Sequence, residues 1–198
     1  MRLSTRDLVY VGVFGALWGV VEMTFGSLLH ALNVPFSGAV LTGIGMTIAL
    51  IGRLFVPKRG SVLLIGLVSA FLKMFSLGSI VVNPMIGIVT EALLAEIALS
   101  ALGRPRRLSF LAAAMLALLW TFAQPFFTSG ILGGQGLATV LGWTLQKGAK
   151  ALGMLPSAVA AVLALLIGIH LLIGAVAGLL AWDAGRAVRA RLQPAEKA

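Results

Sequence analysis

Long runs of apolar residues alternate with short polar segments along the chain, and six of the runs have the length of membrane-spanning helices. A helix crosses the hydrocarbon core of a bilayer in about 20 residues. Inside a bilayer the backbone polar groups must be paired within the span, which favours helices. The pattern therefore predicts one integral all-α membrane domain, residues 1–198, with spans at residues 8–29, 36–56, 62–78, 84–102, 109–127 and 156–182.

The ends of several runs carry helix-start and helix-stop residues. Asn83-Pro84 places a cap residue before a proline at the first helical position, and Pro156-Ser157 begins the last run in a similar way. Residues 102–107, LGRPRR, end the fourth run with a glycine and a proline that cannot extend a helix.

Composition agrees with the apolar pattern. Hydrophobic residues make up 60% of the chain, charged residues 11%, and the mean hydropathy is +1.06. A soluble domain carries roughly a quarter charged residues. The chain has no cysteine, which excludes disulfides and thiolate chemistry.

The net charge of +9 is distributed as a topology signal rather than as a nucleic-acid interface. Twelve of the fifteen basic residues fall on one side if six spans are threaded: Arg2, Arg6, Arg53, Lys58, Arg59, Arg104, Arg106, Arg107, Arg186, Arg189, Arg191 and Lys197. The positive-inside rule then predicts cytoplasmic amino and carboxyl termini. We expect a multi-pass protein of the cytoplasmic membrane of a prokaryote, with no nucleic-acid partner.

The longest connection, residues 128–155, is predicted to face outward. Its glycine-rich first part, TSGILGGQG, is typical of a flexible segment. Residues 137–153 predict a short amphipathic helix in which Trp143 suits a membrane interface. A connection of this length is often a lid or a binding loop, and the alternative is a plain connector.

Three charged residues lie within the predicted spans at one shared depth. An ionisable residue inside a span is costly and therefore indicates function. At about 1.5 Å per residue, Glu22 and Glu91 lie about 10 Å and Lys73 about 8 Å from the outer end of their helices. We predict an outward polar cavity with these substrate-binding residues: Glu22, Lys73, Asn83, Glu91, Trp120, Gln124 and Trp143. Asn33 falls at its rim. The alternative is a structural ion pair such as Glu91–Lys73.

Two further buried polar residues suggest structural roles. Glu96 is five residues after Glu91, so the two side chains point about 140° apart on a helix. We expect Glu96 to pair with a basic group such as Arg53. His170, near the middle of the last span, is expected to be a hydrogen-bonded packing residue or else the floor of the cavity.

The chain lacks the motifs of common enzymes. There is no H-E-x-x-H, no G-x-S-x-G and no P-loop. The two histidines, His30 and His170, differ in depth, which disfavours a metal site. We therefore predict a protein that is not an enzyme, without cofactor or bound metal.

The first span carries small residues four positions apart, the spacing that lets two helix backbones approach closely in lipid. Gly12 pairs with Ala16, and Gly15 pairs with Gly19. This surface is a candidate for docking a partner helix, and packing within the same chain is the alternative.

Together these features resemble the substrate-binding S components of energy-coupling factor (ECF) vitamin transporters. The resemblance rests on about 200 residues, six predicted helices and the small residues Gly12, Gly15, Ala16 and Gly19. The segment NPMIGIVTEALLAEIAL at residues 83–99 is similar to hydroxymethylpyrimidine/thiamine-type members. The resemblance implies capture of a vitamin, association with a transmembrane coupling protein, and energy from two cytoplasmic ATPases. Metal-ion members carry a histidine at position 2, where this chain has Arg2, so nickel or cobalt uptake is disfavoured.

The residues and the resemblance together predict high-affinity capture of a small vitamin or precursor, with a thiamine-like or pyrimidine ligand expected from the two carboxylates. Lys73 leaves room for an anionic ligand. One alternative is a stand-alone secondary transporter or channel that relays protons through Glu22 and Glu91. Another is a structural subunit of a membrane complex.

Overall fold

The computed structural model of the chain describes residues 3–32, 34–76, 82–103 and 105–192, and its regular structure there is helical. The helices are α1 (Thr5–Ala31), α2 (Ser37–Phe55), α3 (Ser61–Lys73), α4 (Val82–Leu102), α5 (Arg107–Pro125), α6 (Leu137–Leu152) and α7 (Val159–Leu192), with a π-helical segment at Phe126–Leu132. Some predicted features lie outside the described residues: Arg2, Asn33, residues 77–81, Arg104 and Lys197.

Five helical stretches of the described chain are long and apolar enough to cross a membrane. They are Thr5–Leu29, Ser37–Phe55, Val82–Leu102, Arg107–Leu132 and Val159–Arg191. The third predicted span is instead the 13-residue helix α3. At 1.5 Å per residue α3 is about 20 Å long, less than the roughly 30 Å of a hydrocarbon core. The chain is thus an all-helical membrane protein whose described residues include five helices of spanning length, and the sixth span remains a prediction.

Local features set the two ends of α3. Gly60 precedes the helix with φ of 87°, a left-handed conformation that glycine adopts without a steric cost. After Lys73 the chain tightens into a turn, in which the amide of Ser76 donates to the carbonyl of Lys73 at 3.0 Å. The helix therefore ends at Lys73, several residues before the predicted span does.

The connection after α5 is more ordered than the glycine-rich pattern predicted. Pro125 lacks an N–H group and its ring conflicts with normal helical pairing, and the helix changes there into the π-helical segment Phe126–Leu132. The amide of Gly133 donates to the carbonyl of Thr128 at 2.9 Å, the five-residue spacing of a π-helix. The flexible segment expected at residues 128–136 is therefore helical as far as Leu132, while the helix predicted from residue 137 is confirmed as α6.

The last helix is longer than the last predicted span. α7 begins three residues after Pro156 and continues to Leu192, ten residues beyond the expected end. The amide of Ala158 donates to the carbonyl of Leu155 at 3.0 Å, so Pro156 lies in a turn rather than at the first helical position.

Helix α2 lies at the centre of the bundle and contacts α1, α3, α4, α5 and α7. Buried alanines and glycines let the helices approach closely. On α7, a Cβ atom at Gly174 would lie 2.7 Å from the Cα of Met115, and one at Gly178 would lie 2.7 Å from the carbonyl oxygen of Phe110. The pair α5–α7 therefore packs backbone against backbone.

Candidate functional site

A cavity of about 840 Å³ opens between the α1–α2 connection and helices α5, α6 and α7. This volume falls in the range of small-molecule sites. Its walls combine three aromatic rings with a few polar side chains. Phe36, Thr121, Phe122, Trp143, Lys147 and His170 are among the lining residues.

Phe36 enters the cavity from a strained backbone. It precedes α2 with φ of 58°, a left-handed conformation that is uncommon for a residue with a side chain. Its ring meets the imidazole of His170 edge-on, with 6.4 Å between ring centroids, and Phe122 makes a similar contact at 5.6 Å. Strain of this kind is concentrated at functional sites.

His170 is a buried lining residue of the cavity. Its Nδ1 lies 2.7 Å from the carbonyl oxygen of Leu166 one turn earlier on α7. Both expectations for this residue describe it, since it is a hydrogen-bonded packing residue and it also lines the cavity.

Helix α6 supplies the exposed side of the cavity. The ammonium of Lys147 lies over the ring of Trp143, 4.8 Å from its centroid. Lys150 is exposed one turn further on, and the buried Oγ1 of Thr144 makes no hydrogen bond within the described chain. Trp143 is the one predicted binding residue among the described residues that line this cavity.

Glu91 lies behind the cavity wall in a cluster of three oxygens. Its Oε1 is 3.0 Å from the hydroxyl of Thr42 on α2 and 3.1 Å from that of Thr121 on α5. The two hydroxyls are 3.1 Å apart. Since Thr121 lines the cavity, the buried carboxylate of Glu91 reaches the site through the Thr121 hydroxyl.

Glu22 and Lys73 form an ion pair with each other. The Nζ atom of Lys73 is 3.7 Å from the carboxylate of Glu22 and donates to the carbonyl oxygen of Glu22 at 2.6 Å. Both residues are buried. The shared depth read from the sequence thus brings two of the three charges into contact, and the expected ion pair of Lys73 is made with Glu22 rather than with Glu91.

Gln124 and Asn83 meet at the same end of the bundle. The amide nitrogen of Gln124 donates to the backbone carbonyl of Asn83 at 2.8 Å and to its side-chain oxygen at 3.1 Å. Trp120 contacts the ring of Phe127, with 5.7 Å between centroids, and its buried Nε1 makes no hydrogen bond within the described residues. These three predicted residues therefore link α4, α5 and the π-helical segment.

At the opposite end of the bundle, the expected pairing of Glu96 with Arg53 is confirmed. Arg53 Nη1 lies 3.3 Å from Glu96 Oε1. The other carboxylate oxygen accepts the amide of Val62 at 3.0 Å. Because Gly60 has no side chain to cap α3, Glu96 of α4 supplies the cap and places negative charge at the positive end of the helix dipole.

The small residues of α1 divide into two groups. A Cβ atom at Gly15 would lie 2.5 Å from Val68, and one at Gly19 would lie 2.9 Å from Leu72, so these two glycines pack against α3. Gly12 has no atom within 4 Å of such a position, and Ala16 is half-buried. The candidate docking surface is therefore occupied within the chain on one side and open on the other.

Sequence reasoning missed Phe36, Thr121 and Thr144 as lining residues. Phe36 follows Pro35 in a short connection, which offers a weak turn signal. Threonines in apolar helices commonly bond to their own backbone, so Thr121 carried no signal until α2 and α4 were placed beside it.

Comparison with known families places the chain among transporters. The family described as "ABC-type cobalt transport system, permease component" matches residues 6–123, more than half of the chain, covering α1 to α4 and nearly all of α5. No curated protein and no solved structure gives a significant match. The family is a membrane component of ABC-type transporters and not an enzyme family. The chain belongs to the ABC-type cobalt transport system permease component family.

Proposed function

We propose that the chain is a substrate-binding S component of an energy-coupling factor transporter, which captures a small vitamin or vitamin precursor. The observation that carries the proposal is the cavity of about 840 Å³ lined by Phe36, Phe122, Trp143 and a few polar groups. Apolar walls with few oriented polar groups are typical of small-molecule sites. Membership in an ABC transport family supports a role in uptake.

In this proposal the chain works with partners in the bilayer. It delivers the ligand to a transmembrane coupling protein driven by two cytoplasmic ATPases, and its termini face the cytoplasm of a prokaryote. The open part of the small-residue surface, Gly12 and Ala16, is the side available for docking. Gly15 and Gly19 support it by fixing α3 behind that surface.

In this proposal the ligand occupies the cavity, and the predicted substrate-binding residues contribute to it in different ways. Trp143 lines it directly, and Glu91 acts through Thr121. Glu22 and Lys73 brace α1 against α3. Asn83, Gln124 and Trp120 hold the helix ends around the cavity.

Cobalt and proton-coupled transport are the competing functions. The family's description names cobalt, whereas the described residues bring together no group of three or more His, Cys, Asp or Glu side chains. A stand-alone transporter needs Glu22 and Glu91 to exchange protons, and a structural subunit needs no ligand. These alternative functions differ in what the purified chain should bind or transport.

Thermal unfolding of the purified chain with a panel of ligands tests the proposal. A ligand at 100 times its Kd stabilises the folded state by about 2.7 kcal/mol. We expect a shift with one B-vitamin or precursor in a panel that includes thiamine, its hydroxymethylpyrimidine, biotin, folate and Co²⁺. A response to Co²⁺ alone supports metal cargo, and proton-coupled flux by the chain alone supports the stand-alone transporter.

A variant that fills the cavity tests whether the ligand that raises the unfolding temperature binds there. Gly38 lines the cavity, and a Cβ atom there meets only Thr121 at 3.8 Å, so Gly38→Leu fills the space without a backbone conflict. Gly142→Leu is the matched control, because nothing lies within 4 Å of its Cβ position. Loss of the ligand response in Gly38→Leu but not in Gly142→Leu is expected, and equal responses contradict this location.

A further inference from the structure

We propose that the cavity selects a small planar ligand with hydrogen-bond donors at one end and a carboxylate or phosphate at the other. This inference rests on the proposed function, because it specifies the ligand of the same cavity. It follows from the polarity of three groups of lining residues: the buried His170, the half-buried Thr121, and the exposed lysines of α6, which mark the solvent side.

The imidazole of His170 presents an acceptor to the cavity. Its Nδ1 lies 2.7 Å from the carbonyl oxygen of Leu166. A carbonyl oxygen only accepts, so Nδ1 carries the proton in that contact. In the neutral ring the other nitrogen, Nε2, is then a bare acceptor, and it pairs with a donor on the ligand.

The hydroxyl of Thr121 also presents an acceptor. Its single proton has three partners within the protein, all oxygens: Glu91 Oε1 at 3.1 Å, Thr42 Oγ1 at 3.1 Å and the carbonyl of Ala117 at 3.3 Å. The carbonyl of Ala117 can only accept, and the Thr42 hydroxyl donates its own proton to Glu91 Oε1 at 3.0 Å. The Thr121 proton therefore has acceptors within the protein, and a lone pair of its oxygen remains for a ligand N–H or O–H group. Glu91 acts as a positioning residue.

The mouth of the cavity carries positive charge. Lys147 and Lys150 are exposed, and they are the Lys, Arg, Asp or Glu side chains among the described lining residues. A cation over an aromatic ring at an exposed site is held weakly, so the ammonium of Lys147 can leave Trp143 for an anionic group. A charge-assisted hydrogen bond to a carboxylate or phosphate is stronger.

The rings between these ends fit a flat molecule. Phe36 and Phe122 both contact the ring of His170, and Lys147 lies over the ring of Trp143. Offset stacking and edge contacts with such rings favour a planar, conjugated ligand. The exposed lysines and the aromatic rings together favour an anionic ligand. The cationic, thiamine-like ligand was predicted from Glu22 and Glu91, and neither residue lines the cavity.

Three related small molecules separate the required features. 4-Aminobenzoate has a planar ring, an amino donor and a carboxylate; benzoate lacks the donor; 4-aminobenzamide lacks the charge. In binding titrations with the purified full chain, we expect 4-aminobenzoate to bind at least about 10-fold more tightly than either relative, and its affinity to fall as salt is added. Equal affinities for the three overturn the inference.

Variants assign each feature to its residues. Replacing Lys147 and Lys150 together by glutamine should weaken 4-aminobenzoate about 10-fold and leave 4-aminobenzamide unchanged, while arginine at both positions preserves binding. Thr121→Val should weaken 4-aminobenzoate but not benzoate, while Thr121→Ser preserves both. An unchanged discrimination between these molecules in the glutamine variant contradicts the charge assignment.

The outcomes also separate this inference from the proposed function. Tight binding of thiamine without binding of 4-aminobenzoate, biotin or folate overturns the anionic assignment and leaves vitamin capture standing. No binding of any of these four molecules or of hydroxymethylpyrimidine overturns both. Comparing these ligands on the unmodified chain tests the anionic assignment even where a variant fails to fold.

Discussion

The buried ion pair between Arg53 and Glu96 should couple two helices far more strongly than an ion pair at the surface does. Their side chains are 4% and 9% exposed, and Nη1 of Arg53 lies 3.3 Å from Oε1 of Glu96. Arg53 also donates to the hydroxyl of Ser61 at 3.0 Å, and Glu96 receives the amide of Val62 and the hydroxyl of Ser100, each at 3.0 Å. Helices α2, α3 and α4 therefore meet at one carboxylate.

The expected loss in the free energy of unfolding depends on which charge each substitution leaves buried. Glu96→Gln removes the charge that balances the guanidinium of Arg53, and removing one partner of a buried pair costs about 3–5 kcal/mol. Arg53→Gln leaves the carboxylate buried without its cation at a similar cost. The double variant leaves neither charge, so its loss should be well below the sum, with a coupling energy of about 1.5–3 kcal/mol.

Equilibrium unfolding of the four proteins in one detergent measures this coupling. The matched control is Arg107–Asp183, whose side chains are 59% and 58% exposed at a distance of 2.9 Å. An exposed pair contributes about 1 kcal/mol or less. A coupling energy for Arg53–Glu96 no larger than that of the control pair refutes the reasoning.

Two other substitutions test separate features. Glu91→Gln should weaken ligand binding at least about 10-fold in titrations, because it disturbs the hydrogen bonds of the Thr121 hydroxyl in the cavity wall. Glu96→Gln should change the affinity less than about 3-fold. Equal effects of the two substitutions would contradict the separate roles of the two acids. Gly174→Leu should lower the free energy of unfolding by about 1–3 kcal/mol, since its Cβ meets Met115 at 2.7 Å. Gly168→Leu, where nothing lies within 4 Å, should stay within about 0.5 kcal/mol, and equal losses would contradict close α5–α7 packing.

Much of the helical architecture could be predicted from apolar run length. Five of the predicted spans correspond to helices of spanning length, and α6 begins where its amphipathic pattern does. The end of α3 could not be predicted, since residues 74–78 are nearly as apolar as the helix before them and the turn depends on local hydrogen bonds. The π-helical segment could not be predicted, because the glycines in and after it ordinarily indicate a flexible chain.

The site was only partly predictable because depth along a helix can be read from sequence, whereas rotation cannot. Depth correctly grouped Glu22 with Lys73, and the angular offset separated Glu91 from Glu96. The direction in which each charge faces depends on neighbouring helices, and nearly every face of these helices is apolar. Thr42 and Thr121 became partners of Glu91 only when α2, α4 and α5 were packed together.

The shortness of α3 has a consequence for how the protein meets bilayers of different thickness. Its first turn is satisfied by Glu96 of α4 and the ammonium at its last residue by Glu22 of α1. Both ends of α3 thus have a carboxylate partner within the protein. Hydrophobic mismatch acts on helices whose ends must reach the interfaces, so a thicker or thinner membrane would tilt the long helices while α3 keeps its length and partners.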